Sequence, residues 1–188
     1  MSSMFEIQYV PKPMAVFTTI LEDHVEFNKY LKQVILEHRQ KFPETTKSNV
    51  KAWHSSWGTH NENPKFMPFV ELVTGAVEFI SQQYFNTKSL TYNAINMWAM
   101  MYEESEYTKK HSHFPSEFSC VYYVDVEPGC APVIFESVQK DGIHDNNQPL
   151  TLQPENGMLA IWPAILHHEV PPTKGRRMCI SMNIEKNV

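Results

Sequence analysis

The chain has 188 residues, 42% of them hydrophobic and 12% aromatic, enough apolar material for a sizeable core and too much for a disordered chain. Its 16 basic and 21 acidic residues leave a formal net charge of -5. No run of Lys or Arg exceeds two, so the polycationic surface that a nucleic-acid partner needs is not expected. Six Gly against thirteen Pro, with no GxGxxG or GxxxxGK[ST], argue against a glycine-rich phosphate cradle.

Cys120, Cys130 and Cys179 are widely spaced and form no CxxC pair, so neither a disulfide framework nor a cysteine zinc site is expected. The N-terminal MSSMFEIQYVPKP lacks the basic start and apolar stretch of a secretory signal. No apolar run approaches the roughly 18 residues that span a bilayer. The expectation is a soluble, cytoplasmic protein without a membrane partner.

The first third reads as helical. Asp23 is a candidate N-cap, and Val25, Phe27, Tyr30, Leu31, Val34, Ile35 and Leu36 follow at helical spacing until Phe42-Pro43. A polar stretch, 44–63, contains SNVKAWHSSWGTH. A second helix is expected where Phe66, Phe69, Val70, Val73, Val77, Ile80 and Tyr84 form a broad apolar face. Both helices need a surface to pack on, most economically a sheet. From about Leu90 short β-branched and aromatic runs predict strands over 90–102, 107–111, 118–126, 133–135, 158–162, 169–170 and 178–184. Seven strands without an intervening helix suggest an antiparallel sandwich or barrel. The polar segment 136–155 is expected to be a loop or lid, with Asp141-Gly142 as its turn. The organisation expected is one domain over 1–188, helical over 1–88 and a β-core over 89–188.

Nine histidines are present, and a few stand at informative places. His111-Ser112-His113 lies just before the strand over 118–126. In extended chain, residues i and i+2 share a face, so two imidazoles so placed can converge on one ion. Of His167-His168 only one can look inward. Nine residues beyond His168, Arg177 opens the last strand. There Arg177, Cys179, Ser181 and Asn183 share one face, and Met178, Ile180, Met182 and Ile184 the other. The fork of an arginine suits a carboxylate. A ferrous ion needs an open side on a small ligand triangle. A 2-oxo acid could chelate such an ion while an arginine deeper in the barrel takes its far carboxylate.

The chain resembles the 2-oxoglutarate/Fe(II)-dependent oxygenases, whose double-stranded β-helix carries HxD…H…R. More narrowly it is similar to a subfamily with HxH in the first motif, followed by a serine and a VYY-type strand, here HSHFPSEFSCVYYV. The second block of that subfamily matches Gly157, Leu159, Trp162-Pro163 and His168-Glu169-Val170, which selects His168 over His167. The closing block matches Arg177 and Asn183, and SNVKAWHSSW and Asn96-Met97-Trp98 also look like the subfamily. The resemblance implies an α+β, mainly β fold: a jelly-roll, cupin-like double-stranded β-helix with N-terminal helices on the major sheet. It implies Fe(II) held by His111, His113 and His168, and 2-oxoglutarate as cosubstrate held by Arg177. The reaction implied consumes dioxygen, releases succinate and CO2, and hydroxylates a small molecule or a protein side chain.

Two departures stand out. His113 replaces the usual carboxylate, leaving the centre more positive. Cys179 stands where a serine is usual two residues after the arginine, and with Asn96, Tyr122, Tyr123 and Asn183 it is a candidate for helping to hold the cosubstrate. His54 and His60 read as structural or substrate-facing, and His144 as a solvated loop residue. The four tryptophans read as core or pocket wall. Two other readings stay open: a cupin-like three-histidine dioxygenase that uses no 2-oxoglutarate, and a non-enzymatic β-sandwich binding module. The first helices could supply a homodimer face.

Overall fold

The long strands of the β-rich half are apolar on both faces, and each face buries against its own layer. In β11 (Arg177–Lys186), Met178, Ile180, Met182 and Ile184 join one core cluster while Cys179 joins a second. A sheet with two apolar faces must be covered twice, and the computed structural model, which describes residues 15–43, 49–87, 90–136 and 149–187, shows both covers.

In chain order the elements are β1 (Phe17–Ile20), α1 (His24–Lys41), β2 (Val50–Lys51), β3 (Trp53–His54), α2 (Thr59–Glu62) and α3 (Met67–Tyr84), with a single 3-10 turn, Pro64–Phe66, leading into α3. Then follow β4 (Tyr92–Tyr102), β5 (Tyr107–His111), β6 (Phe118–Val126), β7 (Val133–Phe135), β8 (Leu150–Leu152), β9 (Met158–Pro163), β10 (His168–Val170) and β11. A six-stranded sheet runs β1-β9-β6-β11-β4-β3, and a five-stranded sheet runs β2-β5-β10-β7-β8, with antiparallel pairing between the strands. The two sheets face each other as a double-stranded β-helix, and the helices cover the outer face of the larger one.

In α1, Leu31, Val34, Ile35 and His38 are buried at helical spacing. The helix stops at Phe42, before Pro43, as a residue preceding proline disfavours the helical region. Asp23 stands at the N-cap position, but its side chain makes no capping bond. Phe69, Val73 and Val77 of α3 meet Met97, Ala99, Leu159 and Ile180 in the same cluster. Among the described residues no helix is long and apolar enough to cross a membrane.

The strands and helices foreseen from periodicity appear, most within a residue or two of their expected ends. Four short strands were not foreseen. β1 pairs with β9, and β2 and β3 lie at the edges of the two sheets. The fourth, β8, corrects the expected loop over 136–155: its Leu150, Thr151 and Leu152 pair with β7. Strands of two to four residues carry too few positions for alternation to register. His144 and Asp141-Gly142 lie outside the described residues.

One prediction follows from the packing of α1 on the sheet. The Tyr122 hydroxyl donates to Asn28 Oδ1 over 2.5 Å, and its ring lies 5.9 Å from those of Phe27 and Phe69. Tyr122→Phe strands the Asn28 acceptor in the core, so urea unfolding should report a loss of about 1–2 kcal/mol. The affinity of the histidine cluster for divalent metal should stay unchanged.

Candidate metal centre

Antiparallel pairing of β5 with β10 sets His111 directly opposite His168. The next matched pair is Thr108 with Val170, so three steps along β5 answer two along β10. One extra residue in β5 makes a bulge. Without it Thr108 and His111, an odd number of residues apart, would face opposite sides. With it both line one cavity between the sheets. The Lys109 carbonyl lies 2.8 Å from His111 Nδ1. His168 Nδ1 lies 3.0 Å from the Leu166 carbonyl. An imidazole that donates from Nδ1 to a carbonyl leaves the Nε2 lone pair free to bind a metal.

His113 arrives just after β5 ends, its backbone N–H donating to the Ala164 carbonyl at 2.8 Å. The ring centroids of His111, His113 and His168 stand 4.5–5.1 Å apart. One ligand atom from each lies within 4.8 Å of the others. Two nitrogens bonded to one ion at about 2.1 Å stand at most about 4.2 Å apart. A small inward turn of the rings therefore brings all three onto a single ion. His167 is exposed and His168 buried, so the adjacent pair splits as strand parity requires.

Burial first, then the neighbouring His168 and His111, pushes the His113 pKa down to about 2. Burial, then His111, pushes His168 down to about 3. Burial lowers His111 as well. All three imidazoles are therefore neutral at pH 7 and offer lone pairs. Among the described residues the cluster contains no carboxylate, and imidazole alone suits zinc, copper, iron or nickel.

The same cavity is lined by Arg177, 3% exposed at the head of β11. Nη1 donates to the Ala131 carbonyl at 3.0 Å, and the guanidinium lies 4.3 Å over the Tyr102 ring and 5.7 Å from that of Tyr123. Nε has no hydrogen-bond partner. Among the described residues no carboxylate pairs with it. Two further buried donors nearby lack an acceptor: the Tyr123 hydroxyl and Trp162 Nε1. Trp162 lines the cavity with its ring 5.0 Å from that of His168.

The other expected site residues separate. Tyr122 lies on the helix-facing side of β6, so its expected part in holding a cosubstrate is corrected: its hydroxyl points away from the cavity, and its neighbour Tyr123 faces inward. Asn96 and Asn183 pair across β4 and β11, with Asn183 Nδ2 donating to Asn96 Oδ1 at 3.3 Å and Ser119 Oγ donating to Asn183 Oδ1 at 3.1 Å. Neither asparagine lines the cavity. Cys179 is fully buried in the inner cluster, its thiol pushed up to about 11, first by burial and against the pull of Arg177. His54, Trp57 and Trp98 line the cavity, while His60 is buried in the short α2. Sequence reasoning missed Tyr102 and Thr108. Their signal was present only in combination: Tyr102 shares a face with Trp98, and the register opposite Arg177 is needed to place it.

Comparison with known proteins follows the same lines. Residues 96–183 match the model of a family described as "Putative 2OG-Fe(II) oxygenase". A search of curated proteins by sequence gives no match. Among solved structures, a Pseudomonas putida prolyl-4-hydroxylase superposes with a TM-score of 0.66 at 12% identity, covering 94% of this chain and 95% of that one. A viral collagen prolyl hydroxylase from Paramecium bursaria Chlorella virus-1, solved with 2OG, gives 0.61 at 14% identity over 92% and 96%. A Trichoplax adhaerens prolyl hydroxylase, solved with a hypoxia inducible factor peptide fragment, gives 0.64 at 11% identity over 92% and 83%. The fold is shared with these hydroxylases, and the stretch that matches the family model carries His111, His113, His168 and Arg177.

The depressed histidines have a consequence for stability. His168 titrates near 3 when folded and near 6.5 when unfolded. The unfolded chain therefore takes up the proton first as pH falls. The stabilisation is full above about pH 6.5 and is lost progressively from there down towards pH 3. In chelator, the unfolding free energy should drop by about 2 kcal/mol between pH 7 and 5 on account of this residue, and His168→Leu should remove that share of the slope.

Proposed function

We propose that the protein is an Fe(II)- and 2-oxoglutarate-dependent dioxygenase that hydroxylates a substrate with release of succinate and CO2. The observation that carries this reading is Arg177, a buried cation with no anion beside it among the described residues, lining the same cavity as three neutral imidazoles. A buried charge without a partner costs several kcal/mol. A dicarboxylate removes that cost if one end reaches the guanidinium while its 2-oxo acid end faces the histidines. The three unanswered donors, Arg177 Nε, Tyr123 Oη and Trp162 Nε1, all call for acceptors, which is what such a molecule offers.

His111, His113 and His168 would hold the iron, with Lys109 and Leu166 carbonyls fixing two of the rings. Iron and keto acid together would supply the oxidising chemistry with dioxygen. Arg177 would anchor the far carboxylate and set the direction of the cosubstrate. Phe135 and Trp162, packed 5.1 Å apart against His168, would keep water from one side of the centre. The similar structures solved with 2OG and with a peptide fit a cosubstrate of this kind and a protein side chain or small molecule as substrate.

The all-histidine set favours one second reading, a cupin-like metal dioxygenase without a keto acid. Calorimetry on the Mn(II)-loaded protein separates the two. The expected result is saturable 2-oxoglutarate binding that weakens about 30-fold or more in Arg177→Met, as a charge-assisted pair is lost, with metal affinity retained. Metal binding without 2-oxoglutarate binding selects the cupin-like reading. With Fe(II), succinate formation should vanish in both His168→Ala and Arg177→Met; wild-type turnover in both overturns the proposal. Trp162→Phe keeps the ring and removes the donor, so 2-oxoglutarate affinity should fall by roughly fivefold while metal affinity holds.

A further inference from the structure

One buried phenol joins the two sheets at the cavity. Tyr102 ends β4 of the larger sheet directly opposite Arg177, is 1% exposed, and carries the guanidinium 4.3 Å over its ring. Its hydroxyl lies 2.6 Å from Thr108 Oγ1. Thr108 belongs to β5 of the smaller sheet, is buried, and lines the cavity together with Tyr102, Arg177 and the three histidines. The cation of one sheet and a hydroxyl of the other therefore meet on the same ring.

The direction of the bond between the two hydroxyls follows from what each group can do. Burial raises the Tyr102 pKa while Arg177 pulls the other way, and the phenol keeps its hydrogen at neutral pH. That hydrogen has two acceptors in reach, Thr108 Oγ1 at 2.6 Å and Met100 Sδ at 3.4 Å. A hydroxyl oxygen accepts far better than a thioether, and the 2.6 Å separation is that of a short O–H···O bond. The guanidinium has donors only, and its charge draws electron density from the phenol and makes that O–H the stronger donor of the pair. Tyr102 therefore donates and Thr108 accepts. A hydroxyl carries one hydrogen besides its lone pairs, and the one on Thr108 is left to serve another acceptor.

We infer that Thr108 gives this hydrogen to the anion held by Arg177, and that Tyr102 is the positioning residue that turns both groups towards it. The inference rests on the proposed placing of a dicarboxylate at Arg177. The far carboxylate would then be gripped from both sheets, by Arg177 on β11 and by Thr108 on β5. Thr108 shares the bulged β5 with His111, so the contact ties the far end of the cosubstrate to the strand that carries a metal ligand. A keto acid with a far carboxylate gains from this contact, and one without it gains nothing.

The test is calorimetry on the full Mn(II)-loaded chain with two probes. The first is 2-oxoglutarate; the second is 2-oxobutyrate, which has the same 2-oxo acid end and no far carboxylate. Thr108→Val keeps the shape and removes the hydroxyl. It should weaken 2-oxoglutarate by roughly tenfold, as a hydrogen bond to a charged group is lost, and leave 2-oxobutyrate within about twofold of wild type. Thr108→Ser should recover most of the loss, with Mn(II) affinity unchanged in both variants. Tyr102→Phe keeps the ring under Arg177 and removes the donor, so 2-oxoglutarate should weaken while 2-oxobutyrate holds. Tyr102→Phe combined with Thr108→Val should bind 2-oxoglutarate no more weakly than Thr108→Val alone, because both act through one bond. Damaged packing would weaken both probes together, so the ratio between them reads the contact itself. The inference is overturned if Thr108→Val binds both probes as wild type does, if it weakens both equally, or if Thr108→Ser recovers nothing. Should wild type hold the two probes alike, the placing of a dicarboxylate at Arg177 fails and takes the inference with it. Should Arg177→Met lose the preference for 2-oxoglutarate while Thr108→Val keeps it, the inference fails alone.

Discussion

The arrangement depends above all on the pairing of two short strands. β10 is three residues long and β5 five, yet their register places His111 opposite His168 and so brings the histidine cluster together. A slip of one residue would turn His168 to the other face of the sheet and send the exposed His167 inward. The extra residue in β5 is equally necessary, because it lets Thr108 and His111 face the same cavity. β10 is held on both sides, by β5 and by β7, through His168 opposite Phe135. A central strand of that kind has little freedom to shift.

Electrostatics complete what the register begins. Three imidazoles packed within van der Waals reach of one another, and away from water, resist protonation. They remain donors of lone pairs when a histidine in water would already be titrating. Arg177 shows the opposite behaviour of a buried group, keeping its charge and placing it over the Tyr102 ring. Among the described residues that line the cavity, three neutral imidazoles and one guanidinium share it with the aromatic side chains of Trp57, Trp98, Tyr102 and Trp162.

The larger elements were legible because each presents a clean period. α1 and α3 carry apolar positions at helical spacing, and the ends of β5, β6 and β7 fall where the turn residues place them. β1, β2, β3 and β8 were not legible, since their two to four residues hold no period and, unlike those of β7, are not marked off by an apolar run between turn residues. The neighbours Tyr122 and Tyr123 show a second limit. Seven consecutive residues of β6, Phe118 to Val124, are buried, so no polar alternation reveals which tyrosine looks towards the helices and which towards the cavity. Asn96 and Asn183 show a third. Both lie on strands that reach the cavity, but at the end where they and Ser119 satisfy one another.

The amino-acid order by itself determined the kinds of group available and the parity within each strand. It put Arg177 and Cys179 on the face opposite Met178 and Ile180, and it allowed only one of His167 and His168 to look inward, because a strand alternates every two residues whatever it packs against. Only the tertiary structure decided which strands became neighbours, where β5 took an extra residue, and that among the described residues no carboxylate pairs with Arg177. Those outcomes depend on pairings between residues far apart in the chain and on the burial of both faces of the sheet, and neither leaves a mark on local sequence.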